Sequence, residues 1–170
     1  PVEPGEVGHL ECRGWRGVQM FLEYLGNEAA MRESFAADGW FKTGDRVRLE
    51  LDGQLTFADR DKDMLKVGGE NVAASEIERV IATVPGVYEV AVVAQPHRML
   101  DEVPVAFVIP TPTIDPEQPG DLADRLIAVC NEKLADFKVP RDVHIVAEMP
   151  RSTLEKIHKA ALRKRLPTLG

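Results

Sequence analysis

Cysteine is scarce, with only Cys12 and Cys130 in 170 residues. The two have no paired metal-ligand spacing and no secretory leader ahead of them, so a reduced, cytoplasmic protein is the simplest expectation. His97, His144 and His158 show no metal spacing either, and no metal site is expected. Neither a Ser-His-Asp set nor a Cys-His set is apparent. No apolar run approaches the roughly 18 residues of a membrane span, and no repeat or low-complexity tract occurs. Base is also in short supply. Against 28 acidic residues stand 21 Lys and Arg, for a net charge of −7, which argues against an extended nucleic-acid surface. An anionic ligand must therefore meet a local cluster of cations. The length suits one domain, or one domain with part of another. The chain opens on Pro1 rather than Met, from which a piece of a longer polypeptide is expected.

Four signals meet between Gly39 and Val72. In Thr43-Gly44-Asp45 a carboxylate follows a glycine, where the backbone can turn sharply and a ligand can come close; Asp45 is placed to accept hydrogen bonds from a diol. Val47 to Leu51 and Gln54 to Ala58 alternate apolar and polar residues and are joined through Asp52-Gly53, a strong hairpin signal. Next come four successive charges, Arg60-Asp61-Lys62-Asp63, which belong at a surface, a joint or a polyanion site. Lys66-Val67-Gly68-Gly69-Glu70-Asn71 then reads as a flexible turn flanked by polar side chains.

Along the rest of the chain, glycines around His9 to Arg13 suggest a strand between tight turns. Asn27 caps a short expected helix through Phe35. Ser75 and Glu78 are spaced as a capping box ahead of Ile77, Val80, Ile81 and Val84, and Pro85-Gly86 stops that helix. The apolar run Val87 to Ala94 predicts a central strand buried on both faces, with Val103 to Ile109 as its partner. Prolines between Pro110 and Gly120 mark a loop. Leu122, Leu126, Val129, Cys130 and Leu134 form one helical stripe with Asp121 as cap. Val143 to Ala147 is a third strand, Pro150 to Glu155 a polar loop, and Lys156 to Leu166 a basic helix. The expected fold class is α+β, a small three-stranded sheet with helices, preceded by β-rich material.

Four motifs in fixed order, TGD with its hairpin, ADRDKDMLKVGGENV, FKVPR and PRSTLEKIHK, resemble the AMP-forming adenylating enzymes and, within them, the acyl-CoA synthetases. The wording around GGENV is most similar to the carnitine/crotonobetaine-CoA ligase and medium- to long-chain acyl-CoA ligase branches. The resemblance implies that residues 1–61 are the tail of a large β-barrel-like N-terminal domain and 62–170 a mobile C-terminal lid domain. It also implies an ATP-dependent acid–thiol ligase using ATP, Mg2+ and CoA. A carboxylate substrate, CoA and the N-terminal domain of the same polypeptide would be its partners, and this piece alone would be inactive. An adenylation enzyme that loads a phosphopantetheine carrier protein, or a non-catalytic α+β interaction module, stands as the alternative.

By the same resemblance, Lys156 is the catalytic lysine of the PRT-x-x-GK motif, and Glu155 stands where the family has glycine. A positioned ammonium lowers the barrier to joining two anions at phosphorus, although an isolated Lys in a loop is ordinarily a solvated charge. Asp45 and Arg60 would hold the ribose; their ordinary reading is a turn residue and a surface ion pair. Lys62 fills the hinge position, since a charged side chain tolerates exposure in two orientations. Lys66, Gly68, Gly69 and Glu70 match the loop that lines the pantetheine path in thioester formation, and would serve equally as a plain hairpin turn. Lys156, Lys159, Arg163, Lys164 and Arg165 are expected to form a basic helical face suited to CoA phosphates.

Overall fold

The computed structural model describes residues 1–112, 119–153 and 155–167, so part of the expected loop between Pro110 and Gly120, and Leu154 of the PRSTLEK motif, lie outside the described residues. The chain divides into two compact units, Pro1–Lys62 and Asp63–Gly170.

In the first unit, strands β1 (Val7–Cys12), β2 (Phe41–Leu49) and β3 (Leu55–Arg60) form an antiparallel sheet in that order. Helix α1 (Glu28–Ser34) begins as expected, with the Ala30 N–H donating to Oδ1 of Asn27 at 3.0 Å. Phe35 then packs among Phe21 and Phe41, ring centroids 5.8 and 5.3 Å away. The Asp52-Gly53 hairpin is present, with Gly53 at φ +84° and Asp52 Oδ1 accepting the Gln54 N–H at 3.0 Å. Leu55 and Phe57 point outward, each 55% exposed.

The second unit is a mixed α+β layer. Its sheet has five strands rather than three. These are β4 (Met64–Val67), β5 (Glu70–Ala73), β6 (Val87–His97), β7 (Asp101–Pro110) and β8 (Asp142–Ile145), in the order β5-β4-β7-β6, with β8 parallel to β7. The central strand is β7, not β6. It is flanked by β6 along its length and by β4 and β8 on the other side. The expected burial of β6 on both faces nevertheless holds, because its alternate residues enter different cores. Val92 and Ala94 pack with Ile77 and Ile81 of α2 (Ala74–Ala82) and with Leu122, Leu126 and Cys130 of α3 (Pro119–Lys133). Ala91 and Val93 pack with Phe107, Met149 and Leu162, the last from α4 (Lys159–Arg163).

Three helix boundaries differ from expectation. Helix α2 starts directly off β5 with Ala73 as a cap that makes no side-chain bond. Ser75 thus lies inside the first turn rather than at the cap, and Oε1 of Glu78 accepts the Val92 N–H at 2.8 Å. Helix α3 begins at Pro119, so Asp121 lies in its first turn rather than at its cap. Finally, α4 is only five residues long. Lys156 precedes it in a tight turn, closed by the Ser152 N–H donating to the Lys156 carbonyl at 2.8 Å and by an Arg151–Ile157 bridge.

Candidate functional site

The first unit brings Asp45 and Arg60 together. They face each other across β2 and β3, with Oδ1 of Asp45 2.8 Å from Nε of Arg60. Register shifts aim them: one separates His9 from Glu11 on β1 opposite the TGD segment, and another lies between Arg46 and Val47. Gly44 has φ +75°, and a Cβ there would meet nothing within 4 Å, so conformation demands the glycine while the space beside it stays open. Thr43 fixes the turn from beneath: its hydroxyl donates to the Leu10 carbonyl at 2.7 Å and accepts the Asp45 N–H at 3.1 Å. Among the described residues, Asp45 Oδ1 makes no aligned hydrogen bond despite being buried. That oxygen is taken up by the Arg60 ion pair and closed to solvent, so a diol would be met by the remaining acceptor sites of the carboxylate.

At the end of this unit Arg60 leads into a 3₁₀ turn, Asp61–Asp63, with Lys62 exposed at its middle. The turn is held at its first residue by His9, whose Nδ1 lies 3.1 Å from Asp61.

In the second unit, Gly68 and Gly69 form the two-residue turn of the β4–β5 hairpin, with φ +58° and +89°. Two successive positive φ values are what a mirror-image hairpin turn demands, and glycine supplies them without strain. Lys66 and Glu70 flank the turn and are exposed. The backbone here is pinned to the β6–β7 connection: Lys66 N–H donates to the Glu102 carboxylate at 2.8 Å and Gly68 N–H to the Leu100 carbonyl at 2.9 Å.

Lys156 is exposed in its own turn. Glu155, at the family's glycine position, has φ +57°, so it adopts the left-handed conformation that a glycine would take freely, at a cost of roughly 1–2 kcal/mol. Arg151 reaches from this turn to Glu89 near the start of β6, 2.6 Å away, and the carboxylate holds its guanidinium even more firmly protonated than usual. Glu89 and His97 are eight residues apart on β6, so the Lys156 turn and the Gly68-Gly69 turn sit at opposite ends of one strand, about 26 Å apart along it.

The expected basic face does not form as one surface. Lys159 lies 2.7 Å from Glu78 and 3.9 Å from Asp63, and Arg163 lies 3.4 Å from Asp63. These cations neutralise their own domain, while Lys164 and Arg165 remain exposed. The FKVPR motif also has a local task that its sequence conceals. Lys138 grips both carboxylate oxygens of Glu76 at 2.8 Å and so ties the segment before β8 to α2. Among the described residues no three His, Cys, Asp or Glu side chains cluster as a metal site. Cys12 is exposed, and burial pushes the Cys130 thiol up to about 11.

The family model described as AMP-binding enzyme C-terminal domain matches residues 76–156. Pyochelin synthase PchD of Pseudomonas aeruginosa (strain UCBPP-PA14) is 39% identical over 168 residues, 97% of this chain and 29% of that protein. Acetate–CoA ligase CCL3 of Humulus lupulus is 38% identical over 170 residues, 100% of this chain and 29% of that protein. The crystal structure of ATP-bound MatB from Rhodopseudomonas palustris superposes with a TM-score of 0.82 at 31% identity, covering 96% of this chain and 31% of that one. The chain therefore spans about three tenths of the length of the relatives it matches. The ordered motifs, the α+β fold of the second unit and these likenesses agree, and the chain belongs to the AMP-forming adenylating enzymes.

Proposed function

We propose that the chain forms the C-terminal lid, with an adjoining β-rich tail over residues 1–61, of an ATP-dependent acyl-CoA ligase. In the first half-reaction a carboxylate oxygen bonds to the α-phosphorus of ATP and pyrophosphate leaves. In the second, the deprotonated thiol of CoA bonds to the acyl carbon and AMP leaves. Lys156 would stand against the negative charge shared between carboxylate and α-phosphate. Asp45 would accept the ribose hydroxyls, with Arg60 holding its carboxylate in place. Mg2+ would arrive with ATP.

The observation that carries this reading is the separation of the two candidate turns. With Lys156 at one end of β6 and Gly68-Gly69 at the other, one site cannot engage both at once. A reaction in two steps, each needing a different lid, uses such a domain by turning it, and Lys62 in its exposed 3₁₀ turn would be the hinge. Lys66, Gly68, Gly69 and Glu70 would then line the path of the pantetheine arm. The outward Leu55 and Phe57 support the company of a large partner domain, which would bring the phosphate-binding loop and the acyl pocket. By itself the chain would not turn over.

The test is the full-length polypeptide containing this chain, incubated with MgATP and a panel of aliphatic and aromatic carboxylates. Pyrophosphate release that depends on an acid, with thioester formed on adding CoA, is the expected result. Thioester formed only on a phosphopantetheine carrier protein would replace CoA as acceptor, and no release with any acid would reject the ligase reading.

A further inference from the structure

Arg151 touches the Lys156 turn in two ways and strand β6 in a third. Its backbone bridges Ile157. Its Nη1 donates to the Glu155 carbonyl at 3.0 Å. Its Nη1 and Nη2 also reach the two carboxylate oxygens of Glu89, at 3.3 and 2.6 Å. The guanidinium therefore spans from a sheet strand to the carbonyl of the left-handed residue just before Lys156. That carbonyl and the Lys156 N–H belong to one planar peptide unit, so fixing the oxygen fixes the direction in which the Lys156 Cα leaves the turn. Glu155 resists its left-handed conformation, unlike a glycine, and an unclamped peptide there is free to rotate away. Lysine in place of arginine would keep the charge but lose the fork that serves two acceptors at once.

We infer that Glu89 and Arg151 are positioning residues for Lys156, acting on adenylation and not on thioester formation. The inference rests on the role given to Lys156 above. Neither side chain needs to touch a substrate. The pair acts by holding the peptide from which the ammonium projects.

In the full-length polypeptide, Arg151→Gln is expected to lower the adenylation kcat about 10- to 100-fold with little change in KM for ATP, since misplacement by about 1 Å is enough. Thioester formation from supplied acyl-adenylate and CoA should stay parental. Arg151→Lys should behave similarly. Exchanging the charges with Glu89→Arg and Arg151→Glu rebuilds the ion pair yet leaves residue 151 without a donor for the Glu155 carbonyl, so adenylation should stay slow. Restored adenylation in the exchange, parental adenylation in Arg151→Gln, or equal loss of both half-reactions overturns the inference. If the parent itself adenylates nothing, the proposed function fails instead, and the clamp is then read by hydrogen exchange on this chain. The Glu155 amide, bonded to the Ser152 carbonyl at 3.0 Å, should exchange about tenfold faster in Arg151→Gln while the Val93 amide in β6 is unchanged. Equal Glu155 exchange rates in parent and variant overturn it.

Discussion

Oε1 of Glu78 lies 2.7 Å from the Lys159 ammonium and also accepts the Val92 N–H at 2.8 Å. One carboxylate oxygen thereby ties α2, β6 and α4 together. Lys159 reaches Asp63 at 3.9 Å as well, and Arg163 approaches the same Asp63 at 3.4 Å. The short α4, which could not stand alone at five residues, is held by these charges on one side and by buried Leu162 on the other.

Removing the ammonium should therefore cost stability. The Lys159 and Glu78 side chains are only 18% and 21% exposed, so Lys159→Ala leaves carboxylates poorly solvated and should destabilise by about 1–2 kcal/mol. Lys164, exposed at the end of α4, has no such burial, and Lys164→Ala should stay within about 0.5 kcal/mol of the parent. Urea midpoints of the two variants decide this, and equal midpoints would sink the argument.

Cys130 makes stability depend on alkaline pH. Burial raises its thiol from 9.0 to about 11, so between those values the unfolded chain releases a proton that the folded chain retains. A raised folded-state pKa gives stability that is intact below pH 9 and falls as pH climbs toward 11, by about 2–3 kcal/mol in all. Comparing urea midpoints at pH 8 and 10.5 should show a drop that Cys130→Ala reduces. At pH 8 a thiol reagent should modify exposed Cys12 quickly and reach Cys130 only on unfolding. Rapid modification of both in the folded chain would contradict the placement of Cys130.

Glu155→Gly tests the strain directly. Glycine takes φ +57° without the Cβ penalty of roughly 1–2 kcal/mol but loses about 0.5–1 kcal/mol through its freer unfolded state. The net gain should be about 0.5 to 1 kcal/mol, with adenylation at least parental. Glu155→Val, with a β-branched side chain, should lose stability at the same position. A stabilising Val would mean that this turn does not hold the left-handed conformation.

How far the sequence reveals the fold depends on how local each cause is. The β6 run is legible because seven of its eight residues from Val87 to Ala94 would suit burial or a strand interior, but its place in the sheet is not, since pairing partners leave no mark on the strand itself. The four-residue strands β4 and β5 pass as a flexible turn because their outward residues, such as Lys66 and Asn71, interrupt any apolar pattern. The Ser75–Glu78 spacing misleads because α2 begins at Ala74, directly off β5, which puts Ser75 inside the helix rather than at its cap. Asp45 and Arg60 are legible through motif order, whereas their ion pair depends on strand register and bulges. Arg151 and Glu89 leave no signal, being 62 residues apart with nothing in either's local pattern to join them.

Lys156 gives the sharpest prediction. If Lys156 stands between the carboxylate and the α-phosphate as charge builds on phosphorus, Lys156→Ala removes one preorganised contact, worth on the order of 10²- to 10³-fold in rate. Its cost should fall on pyrophosphate release. Once acyl-adenylate exists, the same ammonium lies at the far end of β6 from the Gly68-Gly69 turn that the second step would use. Thioester formation from supplied acyl-adenylate and CoA should thus run near the parental rate. Lys159 cannot serve as the control, because its loss unpairs Glu78 and Asp63 and weakens the fold that carries the turn. Lys164→Ala is the better comparison: it removes the same charge from an exposed site on the helix that follows and should spare both steps. Equal slowing of both steps by Lys156→Ala, or greater damage to adenylation by Lys164→Ala, would show that the reacting charge is met by another residue.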